Sequence, residues 1–218
     1  MTDAPPLETM RTDYDSRPFD VADLKPTWYE QLAAWIDEAR EGGEPEPNAM
    51  VLATADPDGI PSSRTVLCKG VDADGIVFYT NYTSVKSHDL DRTRVASATF
   101  PWFAMHRQAQ LAGRVVRVPE AQADAYWALR PRGAQLGAWA SAQSTVVLGR
   151  NVLDHALDGV TRRFADTEEI PRPPHWGGWR IEPRTVEFWQ GRHDRMHDRL
   201  RFDIDRDDDG WTVRRLAP

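Results

Sequence analysis

"AMVLATADPDGIPSSRTVLCKGVDADGIVFYTN", residues 49–81, settles the fold class. It holds three runs rich in β-branched and aromatic residues, "AMVLATA" (49–55), "SRTVLCKGV" (63–71) and "IVFYTN" (76–81). Such side chains fill a pleated, half-buried surface well. Between the runs stand "DPDG" and "DADG". In each, Gly accepts a positive φ and Asp hydrogen-bonds its own backbone, which makes a hairpin turn. Strands joined by tight hairpins run antiparallel. Strict alternation along the second run would send Arg64 and Lys69 to opposite faces. If both serve one site, the strand needs a bulge, an end or a subunit boundary there.

Outward from this stretch, residues 1–25 are rich in Pro and Asp and read as an extended arm. A helix is expected at about 26–41, where Trp28, Leu32, Trp35 and Ile36 fall at helical spacing and Gly42-Gly43 ends the run. A short helix is expected near 84–92, then two strands in "VASATFPWF" and "AQLAGRVVRV". "PEAQADAYWALR" (119–130) opens with Pro at a helix start, and 149–165 is a further helical segment. Two strands, around "WRIEP" and "TVEFWQ", precede "LRFDI" and "WTVRRL", which an Asp-rich turn joins. The expectation is an α+β protein: a small barrel of antiparallel strands with helices inserted between them. Residues 26–218 read as a single domain.

The totals agree with a chain that builds its own core. It has 218 residues, 40% of them apolar and 28% charged. Its nine tryptophans need a core, an interface or a ring-shaped ligand to cover them. A net charge of −7 argues against general nucleic-acid binding. Cys68 is the one cysteine, which excludes an intrachain disulfide and a cysteine-based zinc cluster. No stretch reads as a membrane span or a signal peptide, so the expected location is cytoplasmic.

"FWQGRHDRMHDRLRF" (188–202) concentrates charge between aromatic residues. His193 and His197 stand four apart, as metal ligands on a helix would, yet no Glu lies between them and Arg192, Arg195 and Arg199 would repel a cation. No metal is expected. Asp194 and Asp198 pairing with those arginines would make a plain solvated surface. An anion site is the third reading, since Arg offers a rigid fork of donors and His can donate near neutral pH. Arg64, Lys69, Lys86, Arg130 and Arg132 are further cations for such a site. No Gly-rich phosphate loop is present, so side chains would hold any phosphate. "PRGAQLGAWASAQS" (131–144) reads as a helix with a connecting loop, in which Gln143 and Ser144 could bond a heteroaromatic ring. "DRDDDG" (205–210) begins like a calcium loop, but the required Glu position is Leu216, and a turn is expected instead.

Taken together, "EPNAMVLATAD" (46–56), "SSRTVLCKG" (62–70), "VFYTNYTSVK" (77–86), "RPRGAQLGAWAS" (130–141), "PPHWGGWRIEP" (173–183), "EFWQGR" (187–192), "RMHDRLRF" (195–202) and the terminal "RLAP" resemble the pyridoxine/pyridoxamine 5′-phosphate oxidase family, in the family's order. The resemblance implies an FMN-binding split β-barrel of antiparallel strands with peripheral helices. It implies a homodimer with sites at the subunit interface, and oxidation of pyridoxine or pyridoxamine 5′-phosphate to pyridoxal 5′-phosphate with O2 as acceptor. On matching motifs the FMN contacts would be Arg64, Thr65, Val66, Leu67, Cys68, Lys69, Tyr79, Thr80, Lys86, Gln108, Gln143, Ser144, Trp189 and Arg199. The substrate contacts would be Lys69, Tyr126, Arg130, Arg195 and His197, with Arg195 and His197 orienting the reacting end and assisting proton removal. The arm motif "MRTDY" adds Arg11 and Tyr14 as lid contacts. His193 receives no role.

The chain departs from the family pattern at four places. Val85 stands where an Arg usually contacts the FMN phosphate, and Ala134 where a Ser usually touches the substrate phosphate. His106 replaces a common Glu and Cys68 a common Leu. Two alternatives follow: a related flavin oxidase of another reduced heteroaromatic, of the dihydrophenazine type, or an FMN- or pyridoxal-phosphate-binding protein without turnover. A deazaflavin-using reductase of similar barrel is a more distant third.

Overall fold

The computed structural model describes residues 6–10, 12–14, 16–205 and 210–218. The described elements are α1 (Trp28–Glu41), β1 (Ala49–Ala55), β2 (Pro61–Asp72), β3 (Gly75–Asn81), α2 (Val85–Thr93), β4 (Val95–Trp102) and β5 (Arg107–Arg117), then α3 (Glu120–Ala128), α4 (Arg132–Ala140), α5 (Arg150–Arg163), β6 (Trp176–Gln190), β7 (Asp198–Ile204) and β8 (Trp211–Arg215). Short 3-10 turns lie at Leu7–Thr9, Val21–Asp23 and His193–Arg195. The chain forms two compact units, and β4, β5 and β6 each contribute residues to both.

One unit comprises Asn48–Ala98 and Ala112–Pro183. Its strands follow the order β3-β2-β1-β4-β5-β6, and β6 pairs back onto β3, closing a six-stranded antiparallel barrel. The two hairpins expected from the opening stretch are present: Ala49–Ala55 pairs with Pro61–Leu67, and Cys68–Asp72 with Gly75–Phe78. Met50, Leu52, Ile76, Phe78, Ala98, Val115, Trp179 and Ile181 fill the interior at 1% exposure or less, while Val77 packs with Val118 and Ala123. Gly113 on β5 is required by close approach. A Cβ there would meet the Glu182 carbonyl oxygen at 1.9 Å. The helices α2 to α5 belong to this unit, and Trp127, Phe164, Ile170 and Trp176 make a second buried cluster against which residues of α3, α4 and α5 pack.

The other unit comprises the residues up to Pro47, Thr99–Leu111 and Arg184–Pro218. Thr27 and Glu30 cap α1 reciprocally, each side chain accepting from the other's backbone N–H, and Gly42 closes its far end. The buried face of α1 carries Trp28, Leu32, Trp35 and Ala39. Trp35 meets Phe19 at 5.1 Å, Phe188 at 5.1 Å and Trp102 at 6.1 Å between ring centroids. The Arg107 guanidinium covers Trp35 at 4.7 Å while its Nε donates to Gln190 Oε1 at 2.7 Å. Much of the tryptophan content is therefore core.

The structure corrects one element. The two strands expected at "WRIEP" and "TVEFWQ" are a single strand, β6, that runs through Pro183. Trp176–Ile181 pairs with β3 and Thr185–Gln190 with β7. Pro183 stands between the β3 and β7 ladders, which end at Ile181 and begin at Thr185.

Candidate functional site

In the barrel unit a cavity of about 430 Å³ is lined by Arg64, Thr65, Val66, Leu67, Lys69, Tyr79, Thr80, Lys86, Tyr126, Arg130 and Gln143, all expected from the motifs. Arg64 and Lys69 line the same cavity, as do Thr65, Val66 and Leu67 between them, and the β2–β3 register slips between Cys68 and Gly70. A bulge shifts the phase of the side chains that follow it. Cys68 is on the other side, buried with its Sγ on the Gly70 carbonyl, and burial pushes its thiol up to about 11. It does not line the cavity.

The lining includes Arg64, Lys69, Lys86 and Arg130 and, among the described residues, no carboxylate. Lys86 Nζ donates to Gln143 Oε1 at 2.6 Å, Thr80 Oγ1 at 3.2 Å and Ser84 Oγ at 3.3 Å, all neutral acceptors. Burial, and then the Arg64 charge, hold its ammonium down to about 8. Arg130 lies over the Trp176 ring at 4.8 Å and donates from Nη2 to the Ala134 carbonyl, while its buried Nε has no acceptor. An orphaned buried donor is costly, and an anion satisfies it. Tyr79 and Tyr126 stack at 4.0 Å, with Trp176 nearly parallel to Tyr79 at 5.4 Å. This cavity suits a flat aromatic ligand that carries phosphate.

Sequence reasoning missed Trp176, although its place in "HWGGW" marks it, and Asn81 and Ser141, which line the same cavity. Ser144 stands just outside that lining, at a φ of +72°, with its Oγ accepting from the Val85 N–H at 3.4 Å.

The remaining expected residues lie in the other unit. Tyr14, Gln108 and Trp189 line a cavity of about 410 Å³ with His106, Trp102 and Phe103. The Tyr14 ring packs on His106 at 4.5 Å, and His197 lies 4.7 Å from Trp189. A Cβ at Gly191 would meet the Tyr14 ring at 2.7 Å, so this packing needs glycine. The Arg192 N–H donates to His197 Nδ1 at 3.1 Å, which leaves the neutral ring's proton on Nε2. Burial, then the Arg195 charge, lowers the His197 pKa. Arg195 and Asp194 are exposed, both at positive φ in the 3-10 turn. Arg199 is held by Glu187, Nε to Oε1 at 2.7 Å and Nη2 to Oε2 at 3.0 Å, and donates from Nη1 to the Ala217 carbonyl. Sequence reasoning missed Glu187.

Of the arginines offered as partners for Asp198, Arg192 lies 3.6 Å away, and Asp198 also pairs with Arg215 at 2.7 Å. His193 meets Asp13 at 2.6 Å. Arg11 lies outside the described residues.

Among the described residues no helix is long and apolar enough to cross a membrane. Residues 36–164 match the family model described as pyridoxamine 5′-phosphate oxidase, and 176–218 match the pyridoxine 5′-phosphate oxidase C-terminal dimerisation region. A pyridoxine/pyridoxamine 5′-phosphate oxidase from Saccharopolyspora erythraea is 61% identical over 97% of this chain and 95% of its own length. One from Mycolicibacterium paratuberculosis is 50% identical over 97% and 96%. The structure of PhzG from Burkholderia lata 383 in complex with tetrahydrophenazine-1-carboxylic acid superposes with a TM-score of 0.86 at 31% identity, covering 95% of this chain and 100% of that one. Barrel, motifs and relatives agree: the chain belongs to the pyridoxine/pyridoxamine 5′-phosphate oxidase family of oxidoreductases.

Proposed function

We propose that this protein binds FMN and oxidises pyridoxine or pyridoxamine 5′-phosphate to pyridoxal 5′-phosphate, with O2 as terminal acceptor and H2O2 as by-product. The observation that carries the reading is the cavity, which holds no carboxylate among the described residues and sets four cations beside a wall of parallel rings. The residues fit both ligands. Arg64 and Lys86, whose ammonium is held down by burial and then by the Arg64 charge, suit the flavin phosphate. Lys69, Tyr126 and the orphaned Nε of Arg130 suit the substrate phosphate. FMN supplies the hydride acceptor at N5 and the reactivity with dioxygen.

The protein's share is to bind, orient and exclude water. Arg195 brings positive charge to the reacting end of the substrate. His197, with Nδ1 occupied by the Arg192 N–H, acts from Nε2 as a hydrogen-bond donor. That geometry supports an orienting role over the proton removal first expected of it. Tyr14 closes over Trp189 and His197 as part of the arm. We infer a homodimer from the match of 176–218 to a dimerisation region, and Val146 and Leu148, at 98% and 101% exposure, are apolar surface for a second copy to cover.

A second reading has a specific observation in its favour: the likeness to PhzG, together with Ala134 lining the cavity where a Ser would bond a substrate phosphate. Oxygen uptake with pyridoxamine 5′-phosphate, pyridoxine 5′-phosphate and a dihydrophenazine carboxylate as substrates separates the two. The proposal expects uptake matched by pyridoxal phosphate and peroxide with the first two. Uptake with the phenazine alone would replace it with the second reading.

A further inference from the structure

Behind the cavity lies a buried carboxylate that the assigned chemistry does not use. Asp89 on α2 is 6% exposed and Thr54 on β1 is 3% exposed. Thr54 Oγ1 is 2.7 Å from Asp89 Oδ2 and 2.7 Å from Arg64 Nη1. A carboxylate can only accept and a guanidinium can only donate. The hydroxyl hydrogen therefore points to Asp89 and its lone pair to Arg64, which gives the relay a single direction. Arg64 is further held through Ser62, Nη2 to Oγ at 2.6 Å and Nη1 to the carbonyl at 3.2 Å. Neither Thr54 nor Asp89 lines the cavity, while Arg64 does.

Burying a carboxylate costs free energy unless it is bonded. Here its negative charge faces Arg64, a partly buried guanidinium whose pKa burial lowers and Asp89 raises. Placed behind the arginine and outside the lining, Asp89 supports the cation while repelling an anion in the cavity less than a lining carboxylate would. The same helix carries Lys86, so α2 supplies one cation directly and steadies a second from the rear.

We propose that Thr54 and Asp89 are positioning residues that hold Arg64 for the phosphate of the flavin. This rests on the reading that Arg64 binds FMN. The test measures dissociation constants of FMN and of riboflavin, which lacks the phosphate, for the full-length wild type and for Thr54→Val, Thr54→Ser, Asp89→Asn, Arg64→Ala and the Arg64→Ala/Thr54→Val double variant. The expectation is that Thr54→Val and Asp89→Asn weaken FMN about threefold to tenfold, the range of one hydrogen bond, and leave riboflavin unchanged. Thr54→Ser, which keeps the hydroxyl, should restore wild-type affinity. In the Arg64→Ala background Thr54→Val should cost nothing further, whereas a general packing defect would persist. If Arg64→Ala weakens FMN but Thr54→Val does not, or if its cost survives without Arg64, the positioning role is wrong. If Arg64→Ala leaves FMN affinity unchanged, the assignment of Arg64 to the flavin falls, and the relay with it. Should Asp89→Asn fail to fold, the Thr54 pair decides the matter alone.

Discussion

At the scale of single residues, charge without a partner is the informative quantity. Lys86 is held down to about 8 against an ordinary 10.5, mainly by burial. A base depressed on folding makes the fold less stable while it is charged, so the ligand-free protein should gain stability as pH rises from about 8 toward 10.5. A bound phosphate restores the charge. FMN binding should therefore take up a proton above pH 8, and affinity should fall as pH rises through that point. Fluorescence titration of FMN across that range checks it. A profile that stays flat, or that Lys86→Met leaves unchanged, would contradict it. Arg195 and His197 lie in the other unit and carry a different expectation. Arg195→Ala and His197→Ala should each lower kcat by about tenfold or more, the loss of a charge-assisted contact, while the purified protein keeps its flavin. Loss of flavin from both, with the fold intact, would overturn their assignment to the substrate. Motifs pointed to these residues because arginine and histidine are residue types that can serve such chemistry. Thr54, Asp89 and Glu187 were hidden because a buried threonine or acid behind an arginine has no local spacing that announces it.

At the scale of elements, local pattern and long-range pairing divide the work. The strands at 49–81 and the helix at Trp28–Glu41 were legible because alternation, hairpin turns and caps are properties of neighbours in sequence. The shared cavity of Arg64 and Lys69 was legible only as a condition, because the fold around β2 decides which of its residues border the cavity. The continuity of β6 was not legible. Pro183 looks like a break in any local reading, and it is tolerated because β3 and β7 take successive halves of the strand. The consecutive positive φ values at Asp194 and Arg195 were equally hidden, since neither residue is glycine. Close packing at this scale gives a stability prediction. Gly113→Ala would drive a Cβ into the Glu182 carbonyl and Pro183 Cα, at 1.9 and 2.6 Å. The expected loss is about 3 kcal/mol, the upper part of the usual overpacking range, read from the denaturant midpoint at unchanged m value. A loss under about 1 kcal/mol would show that β5 and β6 can part there without penalty.

At the scale of the whole molecule, a chain of net charge −7 keeps four cations in one cavity that has no carboxylate among the described residues. That uneven distribution favours a small anionic ligand over a polyanion, because the rest of the surface repels nucleic acid. Ligand binding to the folded state alone should raise its stability. FMN at a hundred times its dissociation constant contributes about 2.7 kcal/mol, or a rise in Tm of about 5–10 °C for a chain of this length. Riboflavin, lacking the phosphate, should give a smaller rise, and equal rises would show that the cations do not read the phosphate. The central claim, that this family member oxidises a vitamin B6 phosphate through bound flavin, is tested most directly without oxygen. Protein loaded with FMN is mixed anaerobically with pyridoxamine 5′-phosphate, and the visible band of oxidised flavin is followed. The account predicts that the band bleaches, that pyridoxal phosphate appears in equal amount, and that the colour returns on admitting air. A band that stays unchanged in saturating pyridoxamine and pyridoxine phosphates would contradict it.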